Sequence, residues 1–153
     1  MKKYLQIFLL LVAMLLPWAT QAQVSCPPGQ TSCNVVVMMW DSYGDGWDYG
    51  DCYLEFYSGS TLLGSASLLD GSTGSTTVPV CEGDSIRVVW NDPWDGCTDE
   101  ISFRILSMGG DTLMEVSDAS MYNDGQTMTT FEATSSTTTS SREASLTRGR
   151  RGR

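Results

Sequence analysis

Two short segments of this sequence combine carboxylates with glycine and aromatic residues. The first acidic loop spans residues 40–52 and the second acidic loop spans residues 90–100; together they hold eight Asp or Glu and no Lys or Arg. Like charges about 4 Å apart repel by about 1 kcal/mol even at the dielectric constant of water. A divalent cation would remove that repulsion. Calcium fits best because it binds oxygens from several carboxylates and backbone carbonyls at once.

The predicted calcium ligands come from both loops. The preferred ligands are Asp41, Asp45, Asp95 and Glu100. The reserve ligands are Asp48, Asp92 and Asp99. The pattern is not that of an EF-hand, because the acids have a different spacing and no helices flank the loops. The alternative interpretation is that the acids only keep exposed loops solvated.

Aromatic residues lie in and beside the same loops. Trp40 and Trp90 each end an apolar stretch, and we expect both to cap the hydrophobic core. Tyr43, Trp47 and Trp94 lie inside the loops, where a ring either folds back over the core or faces outward. An outward ring beside carboxylates can stack on a sugar whose hydroxyls bind the acids. The three rings are therefore candidate ligand-binding residues, with folding back the favoured outcome for Trp47.

The rest of the sequence predicts strands that would position these loops. Short apolar stretches alternate with Gly, Asp and Ser, a pattern typical of half-buried strands separated by turns. Strands are expected near residues 34–40, 52–58, 61–68, 75–80, 85–91, 100–107, 112–117 and 126–132. This spacing predicts an all-β fold, a single eight-stranded antiparallel β-sandwich that is jelly-roll-like, with a partly open barrel as the alternative.

Strand direction predicts which loops and cysteines meet. If every connection reverses the chain, the loops after the first and fifth strands lie at the same end. The two acidic loops then come together, and Cys52 pairs with Cys97. Cys33 and Cys81 fall at the opposite end as the second candidate disulfide, with Cys26–Cys33 as its competitor. Five cysteines is an odd number, so Cys26 would be free or would link to another chain.

The chain divides into three parts. Residues 1–22 carry Lys2 and Lys3, then an apolar run and small residues, which is the layout of a cleaved secretory signal. The apolar run is too short for a membrane span of about 20 residues, so no transmembrane segment is expected after cleavage. Residues 23–133 form the predicted domain, secreted or at the cell surface. Residues 134–153 are rich in Ser, Thr and Arg and are expected to be a disordered tail.

Charge and composition exclude several functions. Residues 23–133 hold 17 acidic residues and only two basic ones, Arg87 and Arg104, a net charge of −15. Such a field repels phosphate and argues against a nucleic-acid partner. The chain has no histidine, which excludes Ser-His-Asp and Cys-His catalysis and histidine-ligated zinc. A hydrolase that uses a carboxylate pair remains a distant alternative.

The leading prediction is therefore a non-catalytic binding or adhesion module. It would be stabilised by calcium and would recognise glycan or protein ligands outside the cell. The alternative is a structural or assembly subunit in which the acids only solubilise the surface and an unpaired cysteine links chains.

The segment 41–47, Asp-Ser-Tyr-Gly-Asp-Gly-Trp, resembles the signature of an extracellular β-domain of secreted and surface proteins of Bacteroidetes. That domain often accompanies proteases or a type IX secretion sorting tail. The likeness continues through residues 78–84, 94–103 and 130–133. It implies a secreted accessory or adhesion module on a β-sandwich. Cys52 and Cys97 are additions to the family pattern, and the usual cysteine after the last strand is replaced by Thr134 and Ser135.

Overall fold

Two antiparallel sheets pack face to face in this protein. The computed structural model describes residues 24–94 and 99–135; the predicted signal peptide and nearly all of the predicted tail lie outside them. The strands are β1 (Ser32–Asp41), β2 (Tyr53–Ser58), β3 (Thr61–Ala66), β4 (Thr73–Cys81), β5 (Ser85–Asn91), β6 (Ile101–Leu106), β7 (Thr112–Val116) and β8 (Thr127–Glu132).

Each sheet contains four strands. The strand order is β4-β1-β6-β7 in sheet I and β3-β2-β5-β8 in sheet II. The predicted eight-stranded antiparallel β-sandwich is confirmed, and every strand lies within two residues of its expected position. Two short 3-10 turns, Asp48–Gly50 and Ala119–Met121, interrupt the loops. Over the described part of the chain, no helix has the length and hydropathy of a membrane span.

The core lies between the sheets and follows from side-chain alternation along the strands. Along β1 the side chains from Cys33 to Met39 at every second position are buried, and those between them are half-buried. The same inward column ends in Asp41, which places a carboxylate at the rim of the core. Trp90 is fully buried, as expected. The prediction for Trp40 is wrong, because Trp40 precedes the inward Asp41 and so lies on the outer face of sheet I.

The parity argument for the loops is confirmed. Connections β1–β2, β3–β4 and β5–β6 meet at one end of the sandwich, here called the loop end. The Asp41 backbone N–H donates to the Ser72 carbonyl at 3.0 Å, and the Ser42 N–H donates to the Glu100 carbonyl at 3.1 Å. Both acidic loops therefore lie side by side, as the sequence predicted, and the β3–β4 loop supports them.

The opposite end of the sandwich, here called the terminal end, holds both limits of the domain. The Glu82 N–H donates to the Thr31 carbonyl and the Ala133 N–H donates to the Asp84 carbonyl, each at 2.9 Å. The β4–β5 turn therefore fixes the segment before β1 and the segment after β8.

A disulfide between Cys26 and Cys81 closes the terminal end, with the two Cα atoms 5.5 Å apart. The predicted Cys33–Cys81 pair and its competitor Cys26–Cys33 are therefore wrong, as is the expectation that Cys26 is free or links chains. The register explains the error: Ser32 lies opposite Cys81, and Cys33 lies opposite Val80. Cys33 thus points into the core, whereas Cys81 points to the outer face, where the Cys26 segment covers it.

Cys33 is a free thiol, only 3% exposed. Burial raises the pKa of this thiol, and the nearby charge of Glu82 raises it further. Because the thiolate is the reactive form, we expect iodoacetamide to leave Cys33 unmodified in the native protein and to alkylate it once the protein is unfolded in urea. Peptide mass spectrometry would check this. Native alkylation as fast as that of a free peptide thiol would contradict the burial.

Candidate metal centre

Asp41 is the most buried of the described carboxylates at the loop end, with 2% of its surface exposed. Its Oδ1 accepts the Gly44 backbone N–H at 2.5 Å. Its Oδ2 is buried and has no hydrogen-bond partner among the residues the structure describes. Most buried polar atoms in proteins are hydrogen-bonded, and leaving a charged one unpaired is costly. Within the described part of the chain, Oδ2 is thus a strong acceptor without a hydrogen-bond donor.

Two glycines shape the first acidic loop around Asp45. Gly44 and Gly46 have φ angles of +96° and +86°, a region that favours glycine. A Cβ on Gly46 would lie 2.5 Å from the Leu68 carbonyl oxygen, so only glycine permits the close approach of the β3–β4 loop. Asp45 is held between these two turns, half-buried, beside the end of β1.

Trp47 anchors the loop in the core. Its side chain is fully buried, and its ring centroid lies 5.9 Å from that of Trp90 and 5.8 Å from that of Phe103. Its indole Nε1–H donates to the Trp40 carbonyl at 3.1 Å. The indole is therefore closed to any ligand, so Trp47 is wrong as a ligand-binding candidate, although the favoured outcome that it folds back is the one observed.

Three predicted ligands come together. One carboxylate oxygen from each of Asp41, Asp45 and Glu100 lies within 4.8 Å of the other two. Oxygens bound to one calcium ion at about 2.3–2.6 Å are separated by no more than about 5 Å. The three oxygens therefore have the spacing of ligands around one cation.

The triad carries charges of one sign in a partly buried site. Two unit charges about 4.8 Å apart repel by about 0.9 kcal/mol in water and by about 3.5 kcal/mol at an effective dielectric constant of about 20. Asp41 is buried, while Asp45 and Glu100 are half-buried, so the repulsion within each of the three pairs is screened less than in water. A bound divalent cation would convert the repulsion into attraction.

The other predicted ligands that the structure describes do not join the triad. Asp48 and Asp99 are exposed. Asp92 is buried, and its backbone N–H donates to an Asp124 carboxylate oxygen at 2.8 Å. Asp95 lies outside the described residues, so its role as a ligand stays a prediction.

Exposed aromatic and apolar side chains lie in the loops at the same end of the sandwich. Tyr43 and Trp94, two of the predicted ligand-binding residues, are 81% and 75% exposed. Sequence reasoning missed Leu69, at 69% exposure, and left Tyr49, at 73%, out of the predicted site. The Leu69 side chain lies over Gly50, where an added Cβ would approach its Cδ2 to 2.5 Å. Parity could have found this neighbour, because the loop after the third strand must also lie at the loop end.

Cys52 follows the first acidic loop at the start of β2. It is disulfide-bonded and 1% exposed. Its predicted partner Cys97 lies outside the described residues, so the pairing stays a prediction. The bond ties the end of the first acidic loop to another part of the chain, which limits how far that loop can open.

The fold and the centre define the protein as a β-sandwich domain with a carboxylate cluster at one end. No protein-family model, curated protein or solved structure matches the chain.

Proposed function

We propose that this protein is a non-catalytic, calcium-stabilised binding module that acts outside the cell. The acidic triad at the loop end would hold the ion, and the exposed rings around it would contact a glycan or protein ligand. The sequence features of export and the resemblance to an extracellular β-domain support the same location.

The unpartnered Oδ2 of Asp41 carries the proposal. Acids that merely solubilise a surface are exposed, but Asp41 is buried at the end of the inward column of β1, and among residues 24–94 and 99–135 only its Oδ1 has a hydrogen-bond partner. A cation between Asp41, Asp45 and Glu100 would supply the missing partner. The fold would then gain the attraction of three carboxylates for one ion.

The donor set favours calcium over other common ions. All three candidate ligand atoms are carboxylate oxygens, which suit hard cations better than zinc or copper. Magnesium demands near-octahedral geometry and keeps several waters, whereas calcium accepts irregular sets of six to eight oxygens. Loops built on glycine turns can add backbone carbonyls to such an irregular set.

The structural-subunit alternative loses the covalent link that was expected of Cys26. Cys26, the cysteine expected to link chains, is bonded to Cys81. The free Cys33 is buried in the core, where a second chain has no access to it. A purely structural role would also leave the buried Asp41 oxygen unexplained.

Isothermal titration of the purified protein with calcium, and with magnesium as a control, tests the proposal. We expect one site with a dissociation constant on the order of 10⁻⁴–10⁻³ M, the range of extracellular calcium modules, and weaker magnesium binding. Asp45→Asn is expected to weaken calcium binding about tenfold or more, which is a loss of about 1.4 kcal/mol.

The matched control is Asp51→Asn. Asp51 is exposed and lies in the same loop as Asp45, outside the triad, so this change removes an equal charge but should leave the affinity nearly unchanged. Equal weakening by both variants would indicate diffuse attraction of cations to the acidic surface. No calcium binding at millimolar concentration would overturn the proposal and leave the structural role in first place.

A further inference from the structure

Trp40 lies on the outer face of sheet I, where a large apolar ring has no role in the core. Its two neighbours along β1, Met39 and Asp41, both face inward. Trp40 is nonetheless half-buried, because side chains from the adjacent strands rise beside it. The register places Ser102 of β6 directly opposite Trp40.

These side chains form a groove of about 280 Å³ on the outer face. The side chains that could contact a ligand there are Trp40, Ser102, Arg104, Glu115 and Ser117. They come from three neighbouring strands, β1, β6 and β7, and from the residue after β7. Four of these five side chains therefore lie on strands of the sheet, which favours a fixed arrangement of the polar groups.

The polar groups of the groove are held in place by the sheet. Arg104 and Glu115 lie opposite each other on β6 and β7, and the guanidinium donates to the Glu115 carboxylate. Arg104 Nε is buried without a hydrogen-bond partner in the described part of the chain. A carboxylate with free lone pairs, a fixed set of N–H donors and two serine hydroxyls thus lie beside an indole.

Charge decides which ligand suits the groove. Arg104 is one of only two basic residues in residues 23–133, whose net charge is −15, and its charge is already balanced by Glu115. A polyanion would be repelled by the domain, and a cation would compete with the guanidinium for the carboxylate. A neutral ligand meets neither penalty.

The chemistry and size of the groove narrow the choice further. An indole stacks on a flat apolar face, while the acid, the guanidinium and the hydroxyls bind groups that both donate and accept hydrogen bonds. A sugar ring has an apolar face of C–H groups and a rim of hydroxyls. Pockets for drug-sized ligands span about 300–1,000 Å³, so a groove at the lower limit suits one ring.

We propose that the Trp40 groove of sheet I binds one neutral sugar ring, alone or as the terminal unit of a longer glycan. This site is separate from the acidic triad, and its side chains include none of the proposed calcium ligands. Binding in the groove is therefore independent of calcium as long as the domain is folded.

Two-dimensional NMR of the purified protein with glucose, galactose, mannose and N-acetylglucosamine tests the proposal, in calcium and again in EDTA. We expect at least one of these sugars to shift the Trp40 indole N–H and the Arg104 side-chain N–H signals saturably, with the same affinity in both buffers. Trp40→Ala and Glu115→Gln are each expected to weaken binding about tenfold or more, and Trp40→Phe to weaken it less because a ring remains.

Thr77→Ala is the matched control, since Thr77 is exposed on the outer face of the same sheet but outside the groove; its affinity should equal that of the original protein. The absence of saturable shifts with all four sugars would overturn the proposal. So would shifts that depend on protein concentration without sugar, which would indicate a second copy in the groove. Calcium-dependent shifts confined to Tyr43 and Trp94 would also overturn it and would support ligand binding at the loop end instead.

Discussion

Trp47→Ala is expected to destabilise the domain by about 3–5 kcal/mol, the usual cost of truncating a buried Phe or Trp to Ala. The Trp47 side chain is fully buried, contacts Trp90 and Phe103, and donates its indole N–H to the Trp40 carbonyl. Its removal leaves a cavity and an unpaired carbonyl beneath the first acidic loop. Urea denaturation followed by circular dichroism would measure the change.

Trp94→Ala provides the comparison for that measurement. Trp94 is the same residue type at the same end of the sandwich, but it is 75% exposed. Its removal should change the free energy of unfolding by no more than about 0.5 kcal/mol, as is usual for surface positions. If the two variants lost similar stability, the buried anchor described for Trp47 would be wrong.

Asp41→Asn is expected to change stability in opposite directions with and without calcium. In EDTA the variant should melt at or above the temperature of the original protein, because an unpaired amide costs less to bury than an unpaired carboxylate. In calcium at about 100 times the dissociation constant, the original protein should gain about 2.7 kcal/mol. For a domain of this size that gain raises the melting temperature by about 10 °C or more.

The variant should show none of this rise, so the two melting curves exchange order when calcium is added. Thermal melts in both buffers would measure the exchange, and Asp111→Asn, an exposed acid after β6 and outside the triad, should keep the full calcium response. A calcium-induced rise that survives in Asp41→Asn would place the ion elsewhere.

The strands and the meeting of the loops could be predicted because their signals are local or follow from parity. Alternating apolar residues in β5 and β6 identify their inward faces, and glycine and aspartate identify the turns. Antiparallel order alone then brings the loops after β1 and β5 to one end. That is why Asp41, Asp45 and Glu100 could be named from the sequence as a cluster.

The face on which Trp40 lies could not be predicted, because residues 35–40 of β1 are apolar at every position. Such a run fits either face of a strand, and only the partner strands decide between them. The groove on sheet I could not be predicted either, because β1, β6 and β7 become neighbours only in the folded sheet.

The disulfide was mispredicted for a related reason. Strand direction alone does not decide whether Cys26 or Cys33 bonds to Cys81. A one-residue difference in register decides which cysteine points outward, and the register of β1 against β4 pairs Cys33 with Val80 instead.

The terminal end determines how the protein would be presented to its surroundings. Because the Cys26–Cys81 bond and the Ala133–Asp84 hydrogen bond hold both limits of the domain at the end opposite the triad, any tether on either limit leaves from that side. A particle or sensor surface coupled through either limit would carry the domain with Tyr43, Trp94 and the acidic loops pointing away from the support. Immobilisation through the tail should therefore preserve access to the calcium centre, whereas random coupling through carboxylates should block it.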